Sequence, residues 1–486
     1  MAMKTNKIHW LFFVVLIFAV KFIFFCIDPL PMFYLGDSLS YISTAVTGWI
    51  PMDRSFLYGF VIRLIAVSAH SLTSLIAVQV FAGGLSAILL AYVLKEFFAV
   101  APRTAYALGL LCAVEPLQLM YERYVMTESL ALFLFVIYLT LVFHYLRKPS
   151  LLYIIFAQIT GILLIAFRLS FLPLVVINAV ILPFLAAPVL VPQDSFDGQR
   201  AGNFLRRFIY SGTVLRTVAL HMLFSVVCTF SLHLGYMYLN GYLSKKPPAY
   251  QYQTGVFLLA YWAPLVKPVD FPRPDLLDNV FGDLRYKLED RHRRAEQHWQ
   301  PGGIISNLTE AVPDVLEAER IAKETAFNAV KRNPLGILAL GTLGFLDYWN
   351  LEILRCNMQG DRGDRPLPPE MLALLENKFS LYGDRLPFLI TMTNRYFLFA
   401  WPWCLFLICT PFIASGFLFV SDRKIRKNIF IVLMASSLIV MNASVLIEGP
   451  TVRYIHSLGW LTFLLIGPLT EWIKMKLWPL KETLTA

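Results

Sequence analysis

The sequence predicts an all-α polytopic membrane protein with about 10–12 transmembrane helices. Three observations predict it. The 486 residues are 57% hydrophobic and 15% charged, with mean hydropathy +0.62. Several apolar runs reach the roughly 20 residues that cross a bilayer core. Lys and Arg, which give a formal net charge of +10, gather between those runs. Such an excess is explained by cytoplasmic loops beside anionic lipid. The expected partner is therefore the lipid bilayer, and no nucleic acid is expected.

The first element is a helix over residues 8–27. Lys4 and Lys7 before an apolar run resemble a signal peptide. The run is long and lacks a small-x-small cleavage site, so it reads as an uncleaved span. It stops at Asp28-Pro29-Leu30-Pro31, because proline cannot continue a helix. A first outer loop, 28–70, carries Asp37, Asp53, Arg54 and Arg63. Its apolar segment 56–67 is too short to span and reads as an interfacial helix. Six further spans follow at about 72–94, 104–120, 129–146, 151–167, 171–190 and 217–239. They complete an N-terminal transmembrane module, 1–239.

Residues 240–395 form a large, mainly exoplasmic loop region. Its part 240–333 is polar and rich in proline and charge, with Arg291-His292-Arg293-Arg294 in the middle. The stretch 314–332 has the apolar period of an amphipathic helix. The stretch 335–354 reads as a re-entrant or membrane-spanning segment. Gly336, Gly341, Gly344 and Asp347 weaken it as a span, so the re-entrant or surface-lying form is preferred. A second polar region, 355–386, follows. The C-terminal part, 396–486, holds spans at about 396–420, 429–447 and 455–472. Of six cysteines, five lie in or beside apolar runs, which leaves no metal-ligand spacing and no loop disulfide.

With the N-terminus in the cytoplasm, the basic stretches 95–103, 147–150, 191–216 and 421–428 and the tail fall inside. The 191–216 stretch holds Arg200, Arg206, Arg207 and Arg216. Asp37, Glu122, Glu128, Arg168, Arg453 and the 240–333 loop then share the opposite face.

Acids and arginines at a membrane surface suit two kinds of chemistry. One is proton or ion coupling in a transporter. The other is group transfer from a lipid-linked phosphate. There a carboxylate takes a proton from an acceptor hydroxyl, and Arg or Lys holds the leaving phosphate as charge builds on it. Each candidate also has a plainer reading. Asp37 suits a helix N-cap, and Glu128 suits the positive end of a helix dipole. Arg168 can cap the span before it. Arg453 can snorkel to the interface.

Four segments carry a family resemblance. They are Gly36-Asp37-Ser38-Leu39-Ser40-Tyr41 after the first span and Tyr121-Glu122-Arg123-Tyr124-Val125-Met126-Thr127-Glu128 after the third. Asn333-Pro334 follows the large loop, and Arg453-Tyr454 opens the last span. The layout resembles the GT-C glycosyltransferases, integral membrane enzymes that use polyprenyl-phosphate sugars. Within them it is similar to the glycosyltransferase 39 and aminoarabinose-transferase-like group. The resemblance implies a catalytic acid at Asp37 and a second acid at Glu122 or Glu128. It implies donor-phosphate binding by Arg453, Arg168 and Tyr454. The expected partners are a polyprenyl-phosphate sugar donor and a glycan, lipid or protein acceptor. The expected location is a bacterial inner (plasma) membrane, with the site facing the periplasm or exterior.

Departures limit the kinship. The first-loop acid is single rather than the Asp-Glu pair of protein O-mannosyltransferases, and no Trp-Trp-Asp signature is present. No cofactor follows from the sequence. A divalent cation bridging Asp37 and Glu122 to the donor phosphate and a metal-free site are equally consistent. The competing function is a transporter or flippase of lipid-linked glycans. The span interiors read as nearly free of charge, Glu115 excepted, and no repeated halves are seen. Both points favour the enzyme.

Overall fold

Proline and glycine set most of the helix boundaries. The computed structural model describes residues 2–34, 36–190, 212–361, 367–383, 391–421, 424–447 and 451–484. Among them the chain is all-α, and the only extended pairing is a single bridge between Met32 and Tyr124. It has five helices long and apolar enough to cross a membrane, or up to seven if two bent pairs each count as one. That is the architecture of a polytopic membrane protein.

Helix α1 (Ala2–Ile27) ends where Asp28 and Pro29 begin the first loop. Two short helices follow, α2 (Asp37–Thr47) and α3 (Leu57–Ile62), and a π turn over Arg63–Val67 continues the second. Helices α4 (Leu72–Phe98), α7 (Glu128–Arg147), α8 (Leu151–Phe167), α9 (Leu172–Leu190) and α10 (Gly212–Ser244) build the first bundle. Here α10 reaches Ser244, past the expected limit of 239.

The expected span 104–120 is not one helix. It divides into α5 (Pro102–Ala113) and α6 (Pro116–Tyr121). Pro116 has no N–H to continue α5 and is suited to open a new helix. Glu115 then caps α6, its side chain accepting from Gln118 N at 2.6 Å. The expected span 396–420 is likewise broken. Trp401–Ile408 and Thr410–Val420 meet at 43°, next to Pro411.

The polar stretch after α10 has its own small core. Val256, Leu259 and Ala260 from α11 (Thr254–Tyr261) pack on Ile321, Ala322 and Ala326 of α12 (Val315–Arg332). The buried positions of α12 recur every three or four residues, as its sequence period predicts. Asp314 accepts from Leu316 N at 3.0 Å and starts the helix. Burying side chains such as Leu259 and Ile321 contributes about 1.5–3 kcal/mol each.

Helix α13 (Pro334–Asp347) follows, capped by Asn333. Fourteen residues rise about 21 Å, short of the roughly 30 Å hydrocarbon core. Asp347 at its far end pairs with Arg291 of the polar unit. The next helix, Leu351–Asp361, turns away by 79°. The segment 335–354 is therefore bent rather than a straight span. Lys424–Ile447 and the final helix α14 (Val452–Leu484) complete the bundle.

The helix ends sort by chemistry. At one end Arg147 pairs with Glu96, and Arg426 donates to Phe98 O at 2.9 Å. At the other end the loops with Asp37, Glu128, Arg168 and Arg453 meet beneath the polar unit. Arg200, Arg206, Arg207, Asp422 and Arg423 lie outside the described residues.

Candidate active site

Two loops are laced together before any site forms. Met32 N donates to Arg123 O at 2.8 Å, and Val125 N donates to Met32 O at 2.9 Å. Arg123 pairs with Asp28 and donates to Leu30 O at 2.7 Å. The loop after α1 is thus held to the 121–128 connection. Gly36 then turns the chain into α2 with φ +82, a conformation that suits glycine. It is the N-cap residue, and no side chain caps the helix. Asp37 is the first helical residue, so its carboxylate is not used as a cap.

That carboxylate instead faces two arginines. Arg54 Nη2 donates to Asp37 Oδ1 at 2.7 Å, and Arg453 Nη1 donates to Oδ2 at 2.9 Å. Arg54 also holds Asp53 at 2.9 Å. Glu128 Oε1 lies 3.1 Å from Arg168 Nη1 and 3.8 Å from Arg453 Nε. The result is an alternating row: Asp53, Arg54, Asp37, Arg453, Glu128, Arg168. Tyrosine rings flank the cations. Arg168 lies 4.6 Å from the Tyr454 ring centre, Arg453 lies 5.3 Å from Tyr34 and Tyr454, and Arg54 lies 5.1 Å from Tyr41.

The row lines a cavity of about 190 Å³. Tyr58 and Phe167 form part of its wall. Tyr236, Tyr250, Phe257 and Trp299 close it from α10 and the polar unit. Two hydrogen bonds fix α10 and that unit to the first loop: Tyr236 Oη of α10 to Ser55 Oγ at 2.7 Å and Tyr252 N of the polar unit to Met52 O at 2.6 Å.

Electrostatics in the cavity follow from its charges. Burial alone would raise the Asp37 carboxyl. The guanidinium groups of Arg54 and Arg453 outweigh it and hold the group at about 2, below its ordinary 3.8. Burial raises the Tyr41 hydroxyl, and nearby Asp37 and Glu128 add to that against the arginines.

Of the residues expected from the sequence, Asp37, Glu128, Arg168, Arg453 and Tyr454 all line this cavity. Glu128 does begin α7, and Arg168 does occupy the C-cap position of α8. Their side chains nevertheless engage each other. Glu122 is placed elsewhere. Its Oε1 lies 2.5 Å from Lys21 Nζ and 2.7 Å from Gln118 Nε2, and the Lys21 and Glu122 side chains are each 1% exposed. The pair sits between α1 and α4, where Gly83 leaves room for the carboxylate. Asp37 and Glu122 therefore do not fit a shared divalent-ion site. Among the described residues no group of three or more His, Cys, Asp or Glu is placed to hold a metal.

Comparison with protein-family models, with curated proteins and with solved structures found no match.

Several residues at the site escaped the sequence reading. Arg54 was visible only as one charge in a long loop, and its pairing is made by the fold. Tyr58, Tyr236, Tyr250 and Trp299 belong to no motif that the sequence shows. Lys21 carried a readable signal, because a lysine well inside an apolar span needs a partner. It corrects the expectation that the span interiors are nearly free of charge.

Proposed function

We propose that this chain is a GT-C-type membrane glycosyltransferase that moves a sugar from a polyprenyl-phosphate donor to a glycan, lipid or protein acceptor. The observation that carries the reading is the row of carboxylates and guanidinium groups in one cavity at the helix ends. In this reading the bundle counts about 10–12 crossings once short and broken helices are included. The basic end faces the cytoplasm, and the cavity faces the periplasm or exterior of a bacterial inner membrane.

The transfer balances as follows. The acceptor O–H gives its proton to the Asp37 carboxylate. The acceptor oxygen bonds to the anomeric carbon as the bond from that carbon to the phosphate oxygen breaks. The leaving polyprenyl phosphate gains one negative charge. In this reading Arg453, Arg54 and Arg168 take up that charge, because cations already gathered at the site stabilise it as it develops. Glu128 holds Arg168 and Arg453 in place. Tyr454 and Tyr34 give the guanidinium planes a surface to stack on.

One observation favours the transporter or flippase alternative. The Lys21–Glu122 pair is buried in the bundle, and intramembrane charges often mark a pathway. The cavity row has no continuity with it, since Glu122 is not among the cavity residues. The deciding experiment supplies the purified protein with a polyprenyl-phosphate sugar and a membrane extract as acceptor. Loss of the donor with release of polyprenyl phosphate supports the transferase. An intact donor, under conditions where the protein moves it across a vesicle membrane, supports the transporter.

A further inference from the structure

We infer that Arg54 and Arg453 form a two-guanidinium seat for a singly charged phosphodiester, and that Asp37 competes with that ligand for the seat. The inference rests on the transferase reading and adds to it the competition between Asp37 and the donor phosphate, and with it an order of events.

The geometry is that of an anion site holding an internal anion. Two guanidinium groups from distant parts of the chain converge on one carboxylate, each giving one hydrogen bond to a different oxygen, at 2.7 and 2.9 Å. A phosphodiester offers the same feature, two unesterified oxygens sharing one negative charge, and guanidinium recognises both groups. The seat is mostly shielded: the side chains of Arg54 and Arg453 are 13% exposed and that of Asp37 is 16% exposed.

Charge supports the exchange. Among the described residues, the charged groups facing the cavity are Asp37, Asp53 and Glu128 against Arg54, Arg168 and Arg453. Three negative charges meet three positive ones, and the remaining ionisable groups there are the hydroxyls of Tyr41, Tyr58, Tyr236, Tyr250 and Tyr454. Among the described residues no cation is left over for a further anion. A phosphodiester entering the cavity therefore takes its hydrogen bonds from a carboxylate already present. Glu128 is nearly closed off at 2% exposure and lies 3.8 Å from Arg453. Asp37 lies at the first turn of a short helix, after a glycine, and is the more easily displaced.

The exchange has a chemical consequence. A carboxylate bound by two arginines is a poor base, because both cations favour its charged form. Moving the arginines onto the phosphate returns its basicity. The base then becomes available only when a donor fills the seat. Donor binding precedes proton removal from the acceptor, which protects an occupied site from acting without its donor.

The test uses methyl farnesyl phosphate, a phosphodiester with an isoprenyl chain and no sugar, binding to the full-length protein in detergent by calorimetry. Dimethyl phosphate serves as the soluble form of the same group. Asp37→Asn keeps the shape but removes the competing charge. It is expected to tighten methyl farnesyl phosphate by about tenfold, the effect of one charged hydrogen bond no longer broken. Arg54→Gln is expected to weaken it by about tenfold, whether or not Asp37→Asn proves stable enough to measure. Dimethyl phosphate is expected to show the same ordering of variants at lower affinity. The seat is disproved if Asp37→Asn binds the lipid probe no better than wild type while Arg54→Gln binds it equally well. That outcome leaves the transferase reading standing, because wild type still binds the probe. No binding by wild type or either variant overturns both. Tightening for dimethyl phosphate alone overturns the assignment to a lipid-linked ligand.

Discussion

Glu122→Gln separates a structural acid from a catalytic one. Glu122 and Lys21 are 2.5 Å apart and each 1% exposed, so the substitution strands a lysine charge inside the bundle. Gln118 Nε2, 2.7 Å from the same oxygen, does not neutralise it. Breaking one side of a buried ion pair costs about 3–5 kcal/mol, far more than the pair's net contribution against an apolar substitute. Lys21→Met alone should destabilise similarly, by leaving the carboxylate without its cation. The double variant Lys21→Met/Glu122→Gln removes both charges and should recover more than half of the loss. The assay is thermal unfolding in detergent for the four proteins of the cycle, with donor consumption measured on each at a temperature where it is folded. Folded Glu122→Gln and the double variant should both keep transfer within a few-fold of wild type. A Glu122→Gln protein that is fully stable and inactive would refute the reasoning and return Glu122 to the chemistry.

Three further outcomes follow from the same geometry. Gly83→Ala places a Cβ 1.7 Å from Glu122 Oε1, so its unfolding temperature should fall as that of Glu122→Gln does, and an unchanged value would mean the carboxylate is elsewhere. Arg453→Lys keeps the charge but loses the fork that reaches both Asp37 and Glu128, so KM for the donor should rise about tenfold at normal expression; an unchanged KM makes Arg453 only an anchor. The Asp37 ion pairs should show in acid. Its pKa is depressed from 3.8 to about 2, so the stabilisation is complete above about 3.8 and is lost as pH falls through about 2. That is on the order of 2 kcal/mol, and the stability advantage of wild type over Asp37→Asn should shrink in that window; an advantage that persists at pH 2 would mean Asp37 is not held by its arginines.

What could be read from the sequence had a local cause. The end of α1 was visible in Pro29 and Pro31, and α12 in its period of buried Ala and Ile. The bend after α13 was foreshadowed by its glycines and Asp347. Asp37, Glu128, Arg168 and Arg453 were visible because each is a charge in a connection beside an apolar run, where acids and arginines together suit phosphate chemistry. What was missed is tertiary. The partner of Asp37 at Arg54 lies 17 residues away in a loop with no motif. Glu122 and Glu128 looked equivalent in one short connection. They diverge because Arg123 and Tyr124 lock the segment between them to the first loop, sending Glu122 toward α1 and Glu128 toward the cavity. Pro116 announced a break, but an apolar run of suitable length concealed it.

The most direct test of the account is transfer by Asp37→Asn. Asn keeps the size of the side chain and much of its hydrogen bonding, and Gly36 rather than Asp37 supplies the cap of α2, so the fold is kept at the cost of the ion pairs, on the order of 2 kcal/mol. The side chain can no longer accept the acceptor's proton, and a positioned general base contributes on the order of 10²–10⁴-fold in rate. Asp37→Glu restores a carboxylate one methylene further out and should recover only part of the rate. The measurement is single-turnover transfer from a polyprenyl-phosphate sugar by folded, detergent-purified protein. The account predicts a loss of at least about 10²-fold for Asp37→Asn with partial recovery in Asp37→Glu. Transfer by Asp37→Asn at the wild-type rate would contradict it.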